Sequence, residues 1–407
     1  MNFKKTVISL SKLIIFIVFF ALVSAEKDYG ITWAMSGRVH SELKWHTIKT
    51  ENFNVHYHKE IEEIAKIGAN ISEEVLPPLL KQLDMDDISR INIIFTAEDE
   101  VMNGFAMFNN STFIWVDQND AAIWLENGKW LEQVITHELQ HIVYFNKVKT
   151  WLPEPYSLMK SKTPSWFVEG IAEYYTENWR PYRAEISHKY HVLKNSTSDM
   201  DPHHDGYSKI KLIAETYGDS SIVKLLEHRT KFKLFDFEKA FKHATGTSVN
   251  EFNDLWRRVM NTYYYGLRAQ KETYEDSGEL TKLPISKLSS LTAGFKFSAD
   301  SLHIAMIGKE NDNNRYSSLI IASRDTTKSK EKNEKEKENE KGENDSLKKK
   351  KSKKSYKKDE IDFGRIHPFL NWSDDGRYIA YSKYHYGAHG SMIWDIRIYD
   401  KEKKKEK

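Results

Sequence analysis

The chain has 407 residues, no cysteine and nearly balanced charge, 61 basic against 59 acidic residues. That length calls for two or three domains, and the missing cysteines exclude a disulfide framework and any thiolate metal site, so a metal would need His, Asp or Glu. The formal charge of +2 gives no reason to expect nucleic acid or an anionic membrane as partner.

Lys4, Lys5 and Lys12 precede an apolar run from Leu13 to Val23, followed by Val23-Ser24-Ala25. A basic segment, a short apolar segment and a small-residue cleavage site predict a signal peptide over residues 1–25. The apolar run is too short to span a bilayer comfortably; the rival reading is an uncleaved anchor. The expected location is therefore periplasmic or extracellular, with no membrane span after cleavage.

Phe53, Val55 and Tyr57 alternate with polar residues in the stretch Trp45 to Tyr57, which predicts a strand. Residues 59–83 carry Ile61, Ile64, Ala65, Ile67, Ile71, Val75 and Leu79 at helical spacing, interrupted near the end by Pro77-Pro78. Arg90 to Thr96 and Ser111 to Asp117 read as buried strands. A helix is expected over 128–146, with Leu131, Val134, Ile135, Leu139, Ile142 and Val143 on its apolar side. A Pro-rich loop over 147–165 leads to a helix at about 165–178, then helices near 206–217, 219–229 and 236–264.

The character changes near residue 275. The segment from Phe297 to Ala305 resembles that from Trp372 to Ala380, 75 positions on, and each leads into a second β-rich run, Ser318 to Asp325 and Trp394 to Asp400. Residues 326–360, rich in Lys, Glu, Asn and Ser, cannot bury a core and are expected to be a disordered insertion. Without them the repeat has the period of a propeller blade.

The chemistry is carried by His137-Glu138-Leu139-Gln140-His141 on the helix over 128–146. Residues four apart share one helical face, so both imidazoles can reach one ion, with Glu138 beside them as general base. Two histidines and a glutamate in an otherwise apolar helix are costly to bury unless a metal or hydrogen bonds satisfy them. A catalytic zinc takes three protein ligands and keeps one position open, so the third ligand should come from a later helix. Trp166 to Tyr175 (WFVEGIAEYY) again sets two acids four apart on a hydrophobic helix.

With HELQH followed by WFVEGIAEYY, the chain resembles the gluzincin zinc metallopeptidases, the thermolysin- and aminopeptidase-like group. The resemblance spans residues 40–265 and implies that Glu169 completes the metal site while Glu173 orients a ligand histidine, His137. One Zn2+ per chain is the implied cofactor and a peptide or protein the implied substrate. Tyr207-Ser208-Lys209 looks like the segment that supplies an oxyanion-binding tyrosine in the aminopeptidase branch, although Ile210 stands where that family has glycine; His203 and His204 are the competing candidates. An edge strand containing Gly104, Phe105 and Ala106 is expected to pair with an extended substrate. Phe108 occupies the place of the acid that aminopeptidases use to hold a free amine, which points to internal cleavage. The blade motifs similarly resemble TolB-type β-propellers, and a protein partner of the propeller is implied.

The expected architecture is thus an α+β zincin-like metallopeptidase domain over residues 26–270, with a mixed sheet and active-site helices. A partial all-β propeller follows, with one blade over 275–325 and a second, truncated blade over 361–407. The alternatives are a degenerate peptidase that serves as a protein-binding scaffold and a hydrolase with a non-peptide substrate.

Overall fold

The structure is a computed structural model that describes residues 42–100, 102–116, 130–154, 156–176, 181–271, 290–309, 316–324, 356–386 and 391–406. The expected signal peptide and most of the Lys/Glu-rich insertion lie outside the described residues. Among the described residues, no helix is long and apolar enough to cross a membrane.

Strands β1 (Trp45–Lys49), β2 (Phe53–His58), β3 (Ile91–Thr96), β4 (Asn103–Met107) and β5 (Ser111–Trp115) form one mixed sheet in the order β1-β2-β3-β5-β4. β2, β3 and β5 run parallel, and β1 and β4 are antiparallel strands at the two edges. Alternation of Phe53 and Val55, and of Ile91, Ile93 and Phe95, buries one full set of side chains per strand. The stretch read as a single strand is a hairpin, closed where the Thr50 amide bonds the Phe53 carbonyl.

Helix α1 (Glu62–Gln82) crosses from β2 to β3 and continues through Pro77 and Pro78, where an interruption was expected. Its buried face keeps Leu76, Leu79 and Leu80 in the core, and this packing outweighs two lost helical hydrogen bonds. Helix α2 (Trp130–Val148) packs beneath β4 and β5, with Leu131, Ile135, Leu139, Ile142 and Val143 buried.

The remaining helices are α3 (Tyr156–Ser161), α4 (Ser165–Tyr175), α5 (Pro181–Leu193), α6 (Pro202–Tyr217), α7 (Ser220–Glu227), α8 (Phe237–Thr245) and α9 (Val249–Ala269). α3 and α5 are additions to the sequence-based expectation, and the helix expected over 236–264 is two. Gly246 caps α8 in the left-handed region at φ 79°, and Ser248 then opens α9 with a capping box to Glu251; two such end signals in three residues break the helix locally. One continuous core runs from Phe53 to Phe252.

Further along lie two four-stranded antiparallel sheets, neither closing into a barrel. The first holds β6 (Ser290–Phe297), β7 (His303–Lys309), β8 (Ser317–Arg324) and β9 (Tyr356–Gly364). The second holds β10 (Ile366–Trp372), β11 (Tyr378–Tyr386), β12 (Met392–Asp400) and β13 (Lys405–Glu406). β9 takes up the last residues of the tract expected to be disordered to 360: its partner β8 supplies the pairing that its Lys- and acid-rich sequence does not itself favour.

The two sheets repeat one turn. Ser298 and Ser373 each bond the aspartate two residues on, Asp300 and Asp375. Each aspartate accepts a backbone amide, from Leu302 at 2.9 Å and from Arg377 at 3.0 Å. Ser301 and Gly376 hold the equivalent left-handed position at φ 57° and 68°. Ala305, Ile307, Leu319 and Ile321 of the first sheet pack with Leu370, Trp372, Ile379 and Tyr381 of the second, and the Trp372 indole donates to the Lys296 carbonyl at 2.9 Å.

Candidate metal centre

The centre lies where α2, α4 and α6 meet. The four-residue spacing of α2 puts His137 and His141 on one face, with their Nε2 atoms 3.1 Å apart. From α4, Glu169 Oε2 stands 3.4 Å from His137 Nε2 and 3.2 Å from His141 Nε2. Among the described residues, these three side chains form one of two groups with donor atoms close enough for a single ion. The other combines His137 with Glu173 and His203.

One feature fits an ion better than hydrogen bonds, and a second accommodates one. Glu169 Oε2 is buried and has no hydrogen-bond partner of acceptable geometry, although imidazole nitrogens surround it. The paired Nε2 atoms of His137 and His141 also face each other at 3.1 Å, so either one ring donates its Nε2–H to the other or both lone pairs point at one ion. Ligands about 2.0–2.1 Å from a tetrahedral zinc stand roughly 3.3 Å from one another, and the observed separations of 3.1, 3.2 and 3.4 Å surround that value. Nitrogen and carboxylate donors without sulfur suit zinc.

Glu138, next to the histidines, is buried beneath the edge strand. Burial pushes its carboxyl up to about 7, against the pull of His141 and an Ala106 amide bond; a divalent cation alongside would lower it again. Gly104 explains how strand and carboxylate fit together: a Cβ there would come within 2.6 Å of Glu138 Cγ and Oε1. Phe105 pairs with Phe113 and Ala106 with Thr112, so Gly104, Phe105 and Ala106 all lie on the outermost strand, directly over α2. Phe108 is exposed in the turn that follows.

Glu173 is buried one turn beyond Glu169, with Oε1 3.8 Å from His137 Nδ1, within ion-pair range and longer than a hydrogen bond.

α6 brings a different residue to the centre from the one ranked first by sequence. His203 Nε2 lies 3.1 Å from Glu169 Oε2, and its ring stacks on His137 at 5.6 Å. Burial opposes charge on His203, but the hydrogen bond to Asp201 and the neighbouring Glu169 carboxylate prevail and, with no ion at the centre, raise it to about 10. Tyr207 is one turn further along, with its ring 6.3 Å from that of Tyr174, and His204 is half-buried next to His203. Lys209, the lysine of the Tyr-x-Lys segment, is held 2.6 Å from Asp205 and sits between the rings of Trp166 and Trp256.

His203 is set in place by Asp201, a residue not singled out from the sequence. Asp201 caps α6 by accepting the His203 amide at 2.9 Å, and the same oxygen lies 2.7 Å from His203 Nδ1. The Asp-Pro pair was the available signal, since an acidic N-cap followed by proline at the first position starts a helix. Gly170 and Gly206 were also passed over. A Cβ on Gly170 would come within 2.5 Å of the Gly206 carbonyl oxygen, so only glycine lets α4 and α6 cross closely enough to bring His203 to Glu169.

No protein-family model matches the chain, and no curated protein matches it. Among solved structures, it is similar to an aminopeptidase N family protein from Idiomarina loihiensis, at 12% identity and a TM-score of 0.27. The match covers 67% of this chain and 57% of that one, so the chain spans little more than half the length of its structural neighbour. A likeness at that level carries no argument, and the reading of the centre rests on its own geometry.

Proposed function

We propose that the chain is an exported zinc metallopeptidase that cleaves internal peptide bonds, with His137, His141 and Glu169 as metal ligands and Glu138 as general base. The observation that carries this reading is the triangle of 3.1, 3.2 and 3.4 Å among the three ligand atoms, beside a carboxylate buried under an edge strand. Zinc bound there would polarise a substrate carbonyl and bring the pKa of the attacking water towards about 7.

The chain's own residues supply the other steps. The outer edge of β4, through Gly104, Phe105 and Ala106, receives an extended peptide as an added strand. Glu138 takes a proton from the attacking water as oxygen bonds to the carbonyl carbon. It then delivers that proton to the amide nitrogen as the C–N bond breaks. His203, oriented by Asp201, donates from Nε2 to the developing oxyanion. His203 takes this role ahead of Tyr207 because its Nε2 lies 3.1 Å from Glu169. Glu173 orients His137. Phe108 in place of an acid favours internal cleavage over removal of terminal residues.

The duplicated Ser-x-Asp turns and the face-to-face packing of the two sheets support reading them as propeller blades that hold a protein partner. Export rests on the residues at 4–25.

The test is digestion of a peptide library by zinc-loaded protein and by its Glu138→Gln variant. Cleavage between internal residues that the variant loses while retaining zinc is the expected result. No cleavage by either protein would overturn the assignment.

A further inference from the structure

We propose that the loop at residues 149–154, helix α3 with Lys162 after it, and the neighbouring loop at 229–233 form a docking surface for an anionic lipid bilayer. Trp151 is 67% exposed and Phe232 78%, among the most exposed large apolar side chains described. The Trp151 indole donates to the Phe232 carbonyl at 2.9 Å, which ties the loop tips together. Tyr156 and Met159 are exposed on α3 alongside, and Thr150 Oγ1 holds that helix through Ser157 Oγ at 2.9 Å. With its N–H already bonded, the indole can enter an apolar medium without stranding a donor.

Charge surrounds these rings. Lys149, Lys160, Lys162, Lys231 and Lys233 are all exposed and form no ion pair among the described residues. Their neighbours are committed elsewhere: Lys147 pairs with Glu227 at 3.1 Å, and Arg229 donates to the carbonyls of Leu226, His228 and Lys147. Glu154 accepts the Leu158 amide. The whole-chain charge of +2 averages over this local excess.

Lipid fits better than protein for two reasons. The most exposed apolar groups, Trp151 and Phe232, stand on two loops joined tip to tip. Protein interfaces are also depleted in lysine, whereas aromatic rings rimmed by lysine suit the boundary between headgroups and acyl chains. Lysine stems can lie along that boundary with their ammonium groups among the phosphates.

The test is sedimentation of the full chain with phosphatidylcholine vesicles, with and without phosphatidylglycerol. It compares wild type, a Lys149→Gln/Lys231→Gln/Lys233→Gln variant, a Trp151→Ala/Phe232→Ala variant and an Ile186→Ala control. All four proteins share the same apolar N-terminal segment, so differences among them report on the loops. Wild type and control should prefer anionic vesicles, with affinity falling about fivefold per lysine removed and about tenfold or more on loss of the two rings. Equal binding to both vesicle types, or unchanged binding by both loop variants, would overturn the proposal. So would capture of an acidic protein with no lipid affinity. Peptide hydrolysis does not enter this readout.

Discussion

Polar side chains are used in opposite ways in the helical centre and in the two β-sheets. At the repeated turns of the sheets and the strand ends beside them they satisfy one another: Ser298 with Asp300, Ser373 with Asp375, and Arg377 with Asp400 at 2.8 Å. In the centre they converge without satisfying one another, since Glu169 Oε2 lacks a hydrogen bond although three imidazoles approach it. Closed polar pairs are explained by the fold, whereas an open cluster calls for something to bind. On this account, substitutions in the centre change metal binding and activity, and substitutions in the sheets change stability.

The largest effect expected on this contrast is from Glu138→Gln, with kcat falling by about 10²–10⁴-fold and thermal stability hardly changed. A large loss of stability with no change in turnover would erase the contrast. Next, His203→Ala should lower kcat by about 10²–10³-fold with zinc retained, while Tyr207→Phe should change it little; the reverse ranking would return the oxyanion role to Tyr207. Gly104→Ala should cost activity of the order of 10²-fold, because the added Cβ must displace Glu138. On the other side, Trp372→Ala should destabilise the sheets by about 3–5 kcal/mol in denaturant unfolding and leave zinc content unchanged. Ser373→Ala, the smallest, should cost about 1 kcal/mol; a drop in peptide hydrolysis from either sheet variant would blur the distinction.

Much of this was legible in the sequence because it is local. The spacing of His137 and His141 follows from helical periodicity, and the repeat of Phe297 to Ala305 at Trp372 to Ala380 is visible in the letters alone. What was left open, such as the choice of His203 over Tyr207, or missed altogether depends on residues distant in sequence. His203 meets Glu169 only because Gly170 and Gly206 allow two backbones to touch, and no one-dimensional pattern shows which glycines face each other. α1 runs through Pro77-Pro78 because tertiary packing overrides local preference. β9 begins at Tyr356 within a Lys-rich tract because β8 offers it an edge. α5 was overlooked because its apolar residues form no single stripe.

Metal binding by His137, His141 and Glu169 is the central property to measure. Zinc content of the carefully purified chain, measured beside His141→Ala and Glu169→Ala, should give about one zinc per wild-type chain and a large loss in both variants. Absence of stoichiometric zinc in the wild type, or equal zinc in all three proteins, would contradict it.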